Sequence, residues 1–214
     1  MKRFFLNQLF IAVLAVAAAL TSCNKDDDGA GDKITAKVEN ASELSEVKTV
    51  KLVAWIVSSE ENEEIASADF KNGGFTLNLP ATLASKYLYP LAEDMPSTIT
   101  LSNMNAKMAE VSIYGYNSAG DRIASFNCSK EDGNTEYGMY WLYTDSNVTI
   151  SGTETDEYEE YDEVYISVFS LSLKKGWTAV YVTYTRTTQG GKTTYKSEYK
   201  NSPISGLKWY GYEW

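Results

Sequence analysis

The 214-residue chain contains no histidine. That removes Ser-His-Asp and Cys-His nucleophilic catalysis, His-ligated zinc and the commonest general acid/base. Carboxylate, lysine and tyrosine chemistry remain. Carboxylates are densest at residues 154–163, where seven of ten positions are acidic. Such a run could hold a cation or supply a carboxylate pair for glycoside hydrolysis. Run-on acids do not fix the geometry either task needs. The expected reading is a solvated loop between two strands, its like charges keeping an edge from pairing with neighbours. The cysteines are Cys23 and Cys128. Cys128 lies at an expected strand end and reads as a half-buried small residue with nothing nearby to activate its thiol. No catalytic residue, metal site or cofactor is expected.

Aromatic residues are the second chemical resource, with 16 Tyr and 5 Trp. They gather in three clusters: Tyr137, Tyr140, Trp141 and Tyr143; Trp177 with Tyr181 and Tyr184; and Trp209, Tyr210, Tyr212 and Trp214. Exposed rings beside acids and amides suit a sugar, whose C–H groups stack on the ring while its hydroxyls hydrogen-bond. The competing reading is that Tyr and Trp are good strand formers that fill a core. Near the end of the chain, Leu207 and Trp209 fall on one face of a strand, and Tyr210, Tyr212 and Trp214 on the other. One of these ring sets is expected to stay exposed. The candidate ligand-binding residues are therefore Trp141, Trp177, Trp209, Tyr210, Tyr212 and Trp214.

The elements that must position these rings are almost all strands. From Lys33 onward, apolar residues alternate and turn residues punctuate. Residues 47–57 form the strongest strand, apolar on both faces in its second half, as a central position requires. Asn72-Gly73-Gly74 turns into a strand that sets Phe75, Leu77 and Leu79 on one face. Residues 81–89, between Pro80 and Pro90, are the one good helix candidate after the leader. Hairpins are expected for 109–116 with 122–127, for 137–143 with 147–152, and for 178–188 with 192–199. Phe169, Leu171 and Leu173 alternate onto one face. Ten or more short strands at this spacing predict an all-β fold, an antiparallel β-sandwich with a β-barrel as the alternative. Residues 33–214 are read as one β domain, with a soft boundary near 102–107 as the only place to divide it.

The N-terminus carries an address. Lys2 and Arg3 precede an apolar stretch from Leu9 to Leu20, too short for a membrane span and typical of a secretory leader. Leu20-Thr21-Ser22-Cys23 resembles a bacterial lipobox. The resemblance implies cleavage after residue 22, lipidation of Cys23 and a firm membrane anchor. Residues 23–32, rich in Asp after Lys25, form an acidic tether. This tract resembles the export signal of Bacteroidetes-type surface lipoproteins, which implies display on the outer face of the outer membrane. Asp26, Asp28 and Asp32 do not fit a calcium loop, since their spacing is wrong and no closing Glu follows. Losing Lys2 and Arg3 with the leader leaves 17 basic against 29 acidic residues, a net charge of −12. No basic run exists to neutralise phosphates, so nucleic acid is not an expected partner.

Residues 72–80, 148–153 and 172–177 resemble segments of small Bacteroidetes lipoproteins that carry no defined activity. The first also resembles a strand of transthyretin-like β-sandwich modules. Together these point to a non-enzymatic surface module that binds a glycan or an envelope protein. The alternative is a structural subunit resembling fimbrial lipoproteins, which polymerise by strand donation after proteolytic trimming. Lys33 and Lys37 are the basic residues near the site where such trimming would occur. A carboxylate-based hydrolase ranks third.

Overall fold

The computed structural model describes residues 33–56, 61–93 and 95–214. The leader, Cys23 and the acidic tether lie outside the described residues. The described chain is all-β, a sandwich of two sheets with no closed barrel. Its strands are β1 (Lys33–Lys37), β2 (Thr49–Ile56), β3 (Glu61–Asp69), β4 (Gly74–Asn78), β5 (Tyr89–Pro90), β6 (Ile99–Leu101) and β7 (Lys107–Tyr116). There follow β8 (Arg122–Asp132), β9 (Thr135–Thr144), β10 (Val148–Tyr158), β11 (Glu163–Leu173), β12 (Gly176–Gln189), β13 (Lys192–Lys200) and β14 (Lys208–Glu213).

The small sheet is the antiparallel pair β1–β4. The large sheet runs β3-β2-β7-β8-β9-β12-β13-β11-β10-β6, with β14 paired to β8 and β5 to β7. All pairs are antiparallel except β11–β13, which is parallel. The small sheet covers one core. Ile34 and Ala36 of β1 and Phe75 and Leu77 of β4 pack onto Val50, Leu52, Ile113, Phe126 and Trp209. Each Val, Leu, Ile or Phe among them removed from water contributes roughly 1.5–3 kcal/mol. A second core gathers Leu142, Val148, Ile150, Phe169, Leu171, Leu173, Val180 and Tyr199 beneath Leu91, Ile99 and Ala106. Neighbouring residues in one strand split between the cores: Met108 against Ala109 in β7, Leu142 against Tyr143 in β9. Successive strand side chains point to opposite faces, so these strands form a wall shared by both cores.

The strand pattern is close to expectation. Leu52, Val53 and Ala54 are buried in a row at the middle of β2, between β3 and β7. Phe75, Leu77 and Leu79 point inward, as do Phe169, Leu171 and Leu173. Four features differ. Residues 81–89 do not form a helix; a single 3₁₀ turn, Ser85–Tyr87, sits there, because the segment between two prolines is too short to propagate helical hydrogen bonds. Strands β9 and β10 are consecutive but unpaired. The linking residues bond elsewhere: Thr144 Oγ1 donates to Lys174 O, Lys107 N donates to Asp145 Oδ1, and Lys175 N donates to Asn147 Oδ1. Those bonds carry the chain across to a different edge. The acidic run is a loop only at residues 159–162, a 3₁₀ turn and its cap, since β10 continues to Tyr158 and β11 resumes at Glu163. Cys128 sits in mid-strand, 2% exposed, between Trp209 on β14 and Met139 on β9.

Candidate functional site

Strand β14 decides which rings face outward. Asn40 clamps it, donating from Nδ2 to Gly211 O at 2.7 Å and accepting from Gly211 N at 3.0 Å. Leu207, Trp209 and Gly211 point into the first core. A Cβ on Gly211 would lie 2.3 Å from Leu44 Cδ1, so only glycine leaves room for that buried leucine. Tyr210, Tyr212 and Trp214 therefore take the opposite face. Tyr210 is half-buried, Tyr212 is 37% exposed and Trp214 is 65% exposed.

Two predicted ligand residues belong to the core instead. Trp177 is 4% exposed, with its Nε1 donating to Pro80 O at 2.8 Å and its ring edge-on to Tyr143. Trp209 is 5% exposed, with its ring against Phe75. Neither can stack on a ligand, since both faces of each strand matter and these rings fell on the inner one. Trp141 is half-buried against the first core, its Nε1 enclosed without a hydrogen-bond acceptor among the described residues.

Trp214 forms a corner with two residues not anticipated from the sequence. Its ring meets Tyr114 of β7 edge-to-face, with centroids 6.0 Å apart. The Arg122 guanidinium lies 4.6 Å from the Tyr114 ring centroid and 5.4 Å from that of Trp214. The cation is attracted to both ring faces and steadies them. The pairing Tyr114↔Ser125↔Tyr212 across β7, β8 and β14 brings these groups onto one open face.

A second aromatic group occupies the far end of the same sheet. Tyr165 on β11 and Tyr195 on β13 are register partners, their rings stacked at 4.8 Å and 20°. Tyr184 on β12 stacks on Tyr195 at 6.1 Å, and Tyr158 on β10 stands edge-to-face on Tyr165 at 5.5 Å. Glu163 ties the row together: Tyr165 donates to its Oε2 at 2.8 Å and Tyr195 to its Oε1 at 3.2 Å. Burial, then the bond to Glu163, pushes the Tyr165 phenol up to about 12. Burial, then neighbouring Tyr195 and Glu136, does the same for Tyr184. Burial and the opposing Glu131 raise the Glu136 carboxyl. The sequence reading named Tyr184 in a cluster but missed Tyr158, Tyr165 and Tyr195. Only the parallel β11–β13 register assembles them, and no local pattern announces a parallel pairing.

The acidic run borders this row. Glu154, Asp156 and Tyr158 share a face, opposite Ser167, Tyr165 and Glu163 of β11. Most of its charges thus face neutral partners, which makes a strand tolerable. Glu157, Tyr158, Glu159, Asp162, Glu163 and Lys192 line a hollow of about 140 Å³. Among the described residues, no group of three or more Cys, Asp or Glu side chains is placed to hold a metal ion. No family model, curated protein or solved structure matches the chain.

Proposed function

We propose that this chain is a non-enzymatic binding module of a lipid-anchored surface protein, and that its ligand is a glycan. The observation that supports this reading is the corner of Trp214, Tyr212, Tyr114 and Arg122. An indole left 65% exposed and held by a cation and a second ring offers a firm apolar face beside polar groups. That combination suits a sugar, which is apolar on its C–H face and polar at its rim. Tyr114 and Tyr212 stand on paired strands and Trp214 follows β14 directly, held by Tyr114 and Arg122, so little side-chain order is lost on binding.

The remaining parts of the proposal rest on sequence. The Leu20–Cys23 stretch resembles a lipobox and supports reading Cys23 as an acylated membrane anchor, and the Asp-rich tract after it supports display on the outer face of the outer membrane. The acidic charge disfavours nucleic acid as a partner.

The test is a glycan array probed with detergent-solubilised protein, in a detergent without a sugar headgroup. Binding that vanishes in Trp214→Ala and weakens in Tyr212→Ala, with unchanged circular dichroism, supports the reading. A blank array, or binding indifferent to both substitutions, overturns it and directs the search to envelope proteins by pulldown.

A further inference from the structure

The two aromatic groups lie on one face of the large sheet, and Glu136 lies within electrostatic reach of both. It is the register partner of Tyr184 on one side and of Glu131 on the other, and Glu131 shares its strand face with Ser125, the partner of Tyr212. Strands β8, β9, β12, β13, β11 and β10 are consecutive neighbours, so the row from Glu131 across to β10 spans about 24 Å at roughly 4.8 Å per strand, and Tyr212, opposite Ser125, lies six residues further along β8. That is far longer than one sugar ring. Resting on the glycan reading above, we propose that Tyr184, Tyr195, Tyr165 and Tyr158 continue the Trp214 corner into a track that holds an extended, uncharged polysaccharide along its length.

Three observations select this occupant. First, the rings of Tyr165, Tyr195 and Tyr184 are stacked on one another and half-buried, so their faces are largely occupied and their edges and hydroxyls are what remains for contact. A ridge of hydroxyls at strand spacing complements a polymer that presents hydroxyls at regular intervals. Second, the hydroxyl protons of Tyr165 and Tyr195 are already given to Glu163, so these oxygens offer lone pairs. With Glu136 and Asp156 beside them, the track is rich in acceptors and suits a ligand rich in donors. It repels uronic or sulfated chains. Third, a basic peptide would compete for a slot that the chain fills itself: Arg186 sits 5.7 Å from the Tyr195 ring centroid, and Lys192 pairs with Glu157 at 3.2 Å.

Calorimetry on the solubilised protein tests this, using neutral gluco- and manno-oligosaccharides of increasing length, with polygalacturonate and poly-lysine as charged probes. The expected result is affinity that rises at least tenfold from the shortest to the longest neutral oligomer. Tyr184→Ala and Tyr158→Ala should abolish that gain while leaving the short oligomers bound at Trp214. Tyr165→Phe, which keeps the ring stack and removes one hydroxyl, should reduce the gain without loss of fold. Affinity independent of length, a gain that survives Tyr184→Ala, or preference for either charged polymer overturns the track but leaves the Trp214 site standing. Failure of every neutral oligomer at every length overturns both.

Discussion

The rings of Tyr143 and Trp177 meet edge-to-face across β9 and β12, with centroids 5.3 Å apart and planes at 70°. They are register partners, both at least 96% buried, and the Trp177 indole also donates to Pro80 O. A residue that looked like a ligand platform is a bolt joining the large sheet to the segment after β4. Trp177→Ala should cost about 3–5 kcal/mol of stability, as large cavities do. Trp177→Phe should keep most packing and lose about 1 kcal/mol or somewhat more, because Pro80 O forfeits its donor. Urea unfolding of both variants checks the order. Equal losses would mean the ring packing contributes nothing, and no loss in Trp177→Phe would mean the hydrogen bond contributes nothing.

Trp209 and Trp214 should behave differently although only four residues separate them. Trp209→Ala opens a void beside Phe75 and should cost about 3–5 kcal/mol. Trp214→Ala removes an exposed ring with one edge contact and one cation contact, and should cost under about 1 kcal/mol. Thermal melts give the stabilities. If the two melting temperatures fall equally, the inward and outward assignment along β14 is wrong.

Gly152 lets β6 close over β10. Its φ is +139°, and an added Cβ would lie 2.4 Å from Thr98 O, a backbone atom that cannot swing aside. Gly120, at φ +88°, meets nothing within 4 Å. Both alanine variants suffer backbone strain of about 1–3 kcal/mol. Gly152→Ala should lose more than Gly120→Ala, together with faster hydrogen exchange in Ile99–Leu101 and its partners Ile150–Gly152. Identical losses and unchanged exchange would show that close approach is not what the glycine serves.

Period-2 alternation made the strands legible, because a one-residue slip would expose Phe75, Leu77 and Leu79 together. The split of β14 into two faces, Trp209 on one and Tyr210, Tyr212 and Trp214 on the other, was legible for the same reason. What alternation does not reveal is which face is covered. Trp177 and Trp209 were open to either reading until β1–β4 and Pro80 were placed over them. Nor does alternation name partners. The break between β9 and β10 depends on side chains of Thr144, Asp145 and Asn147 finding distant backbone groups, and the tyrosine row depends on β11 lying parallel to β13. The acidic run misled because charge density suggested a loop, whereas register set Glu154 opposite Ser167 and Asp156 opposite Tyr165.

The anchor is tested apart from the fold. On the proposed lipobox reading, Cys23→Ala should move the protein from the membrane fraction to the soluble fraction, since acyl chains on Cys23 would supply the affinity at roughly 0.8 kcal/mol per buried methylene. Protease added to intact cells should cut the wild-type protein while a periplasmic control survives. A mutant retained in membranes defeats the lipid anchor, and a protein protected from the protease defeats surface display.

The tyrosine row should make the fold sensitive to alkali. An unfolded tyrosine ionises near 10. Tyr165 and Tyr184 are held up to about 12 in the folded protein. Between those values the unfolded chain releases protons that the folded chain retains, so stability falls as pH rises. The contribution is intact below about pH 10 and is lost as pH climbs through about 12. Tyr165 is partly open to water, which screens the charge and moderates the effect. Melting temperatures measured from pH 9 to 12 should decline in the wild type, and spectrophotometric titration should show phenols ionising late. Tyr165→Phe removes one of these groups and should flatten the decline. Glu163→Gln removes the carboxylate that faces both Tyr165 and Tyr195, and should lower the late ionisation without abolishing it, because burial is the larger cause for Tyr165. A decline identical in all three proteins would place the alkaline sensitivity elsewhere and deny that Glu163 couples these two hydroxyls.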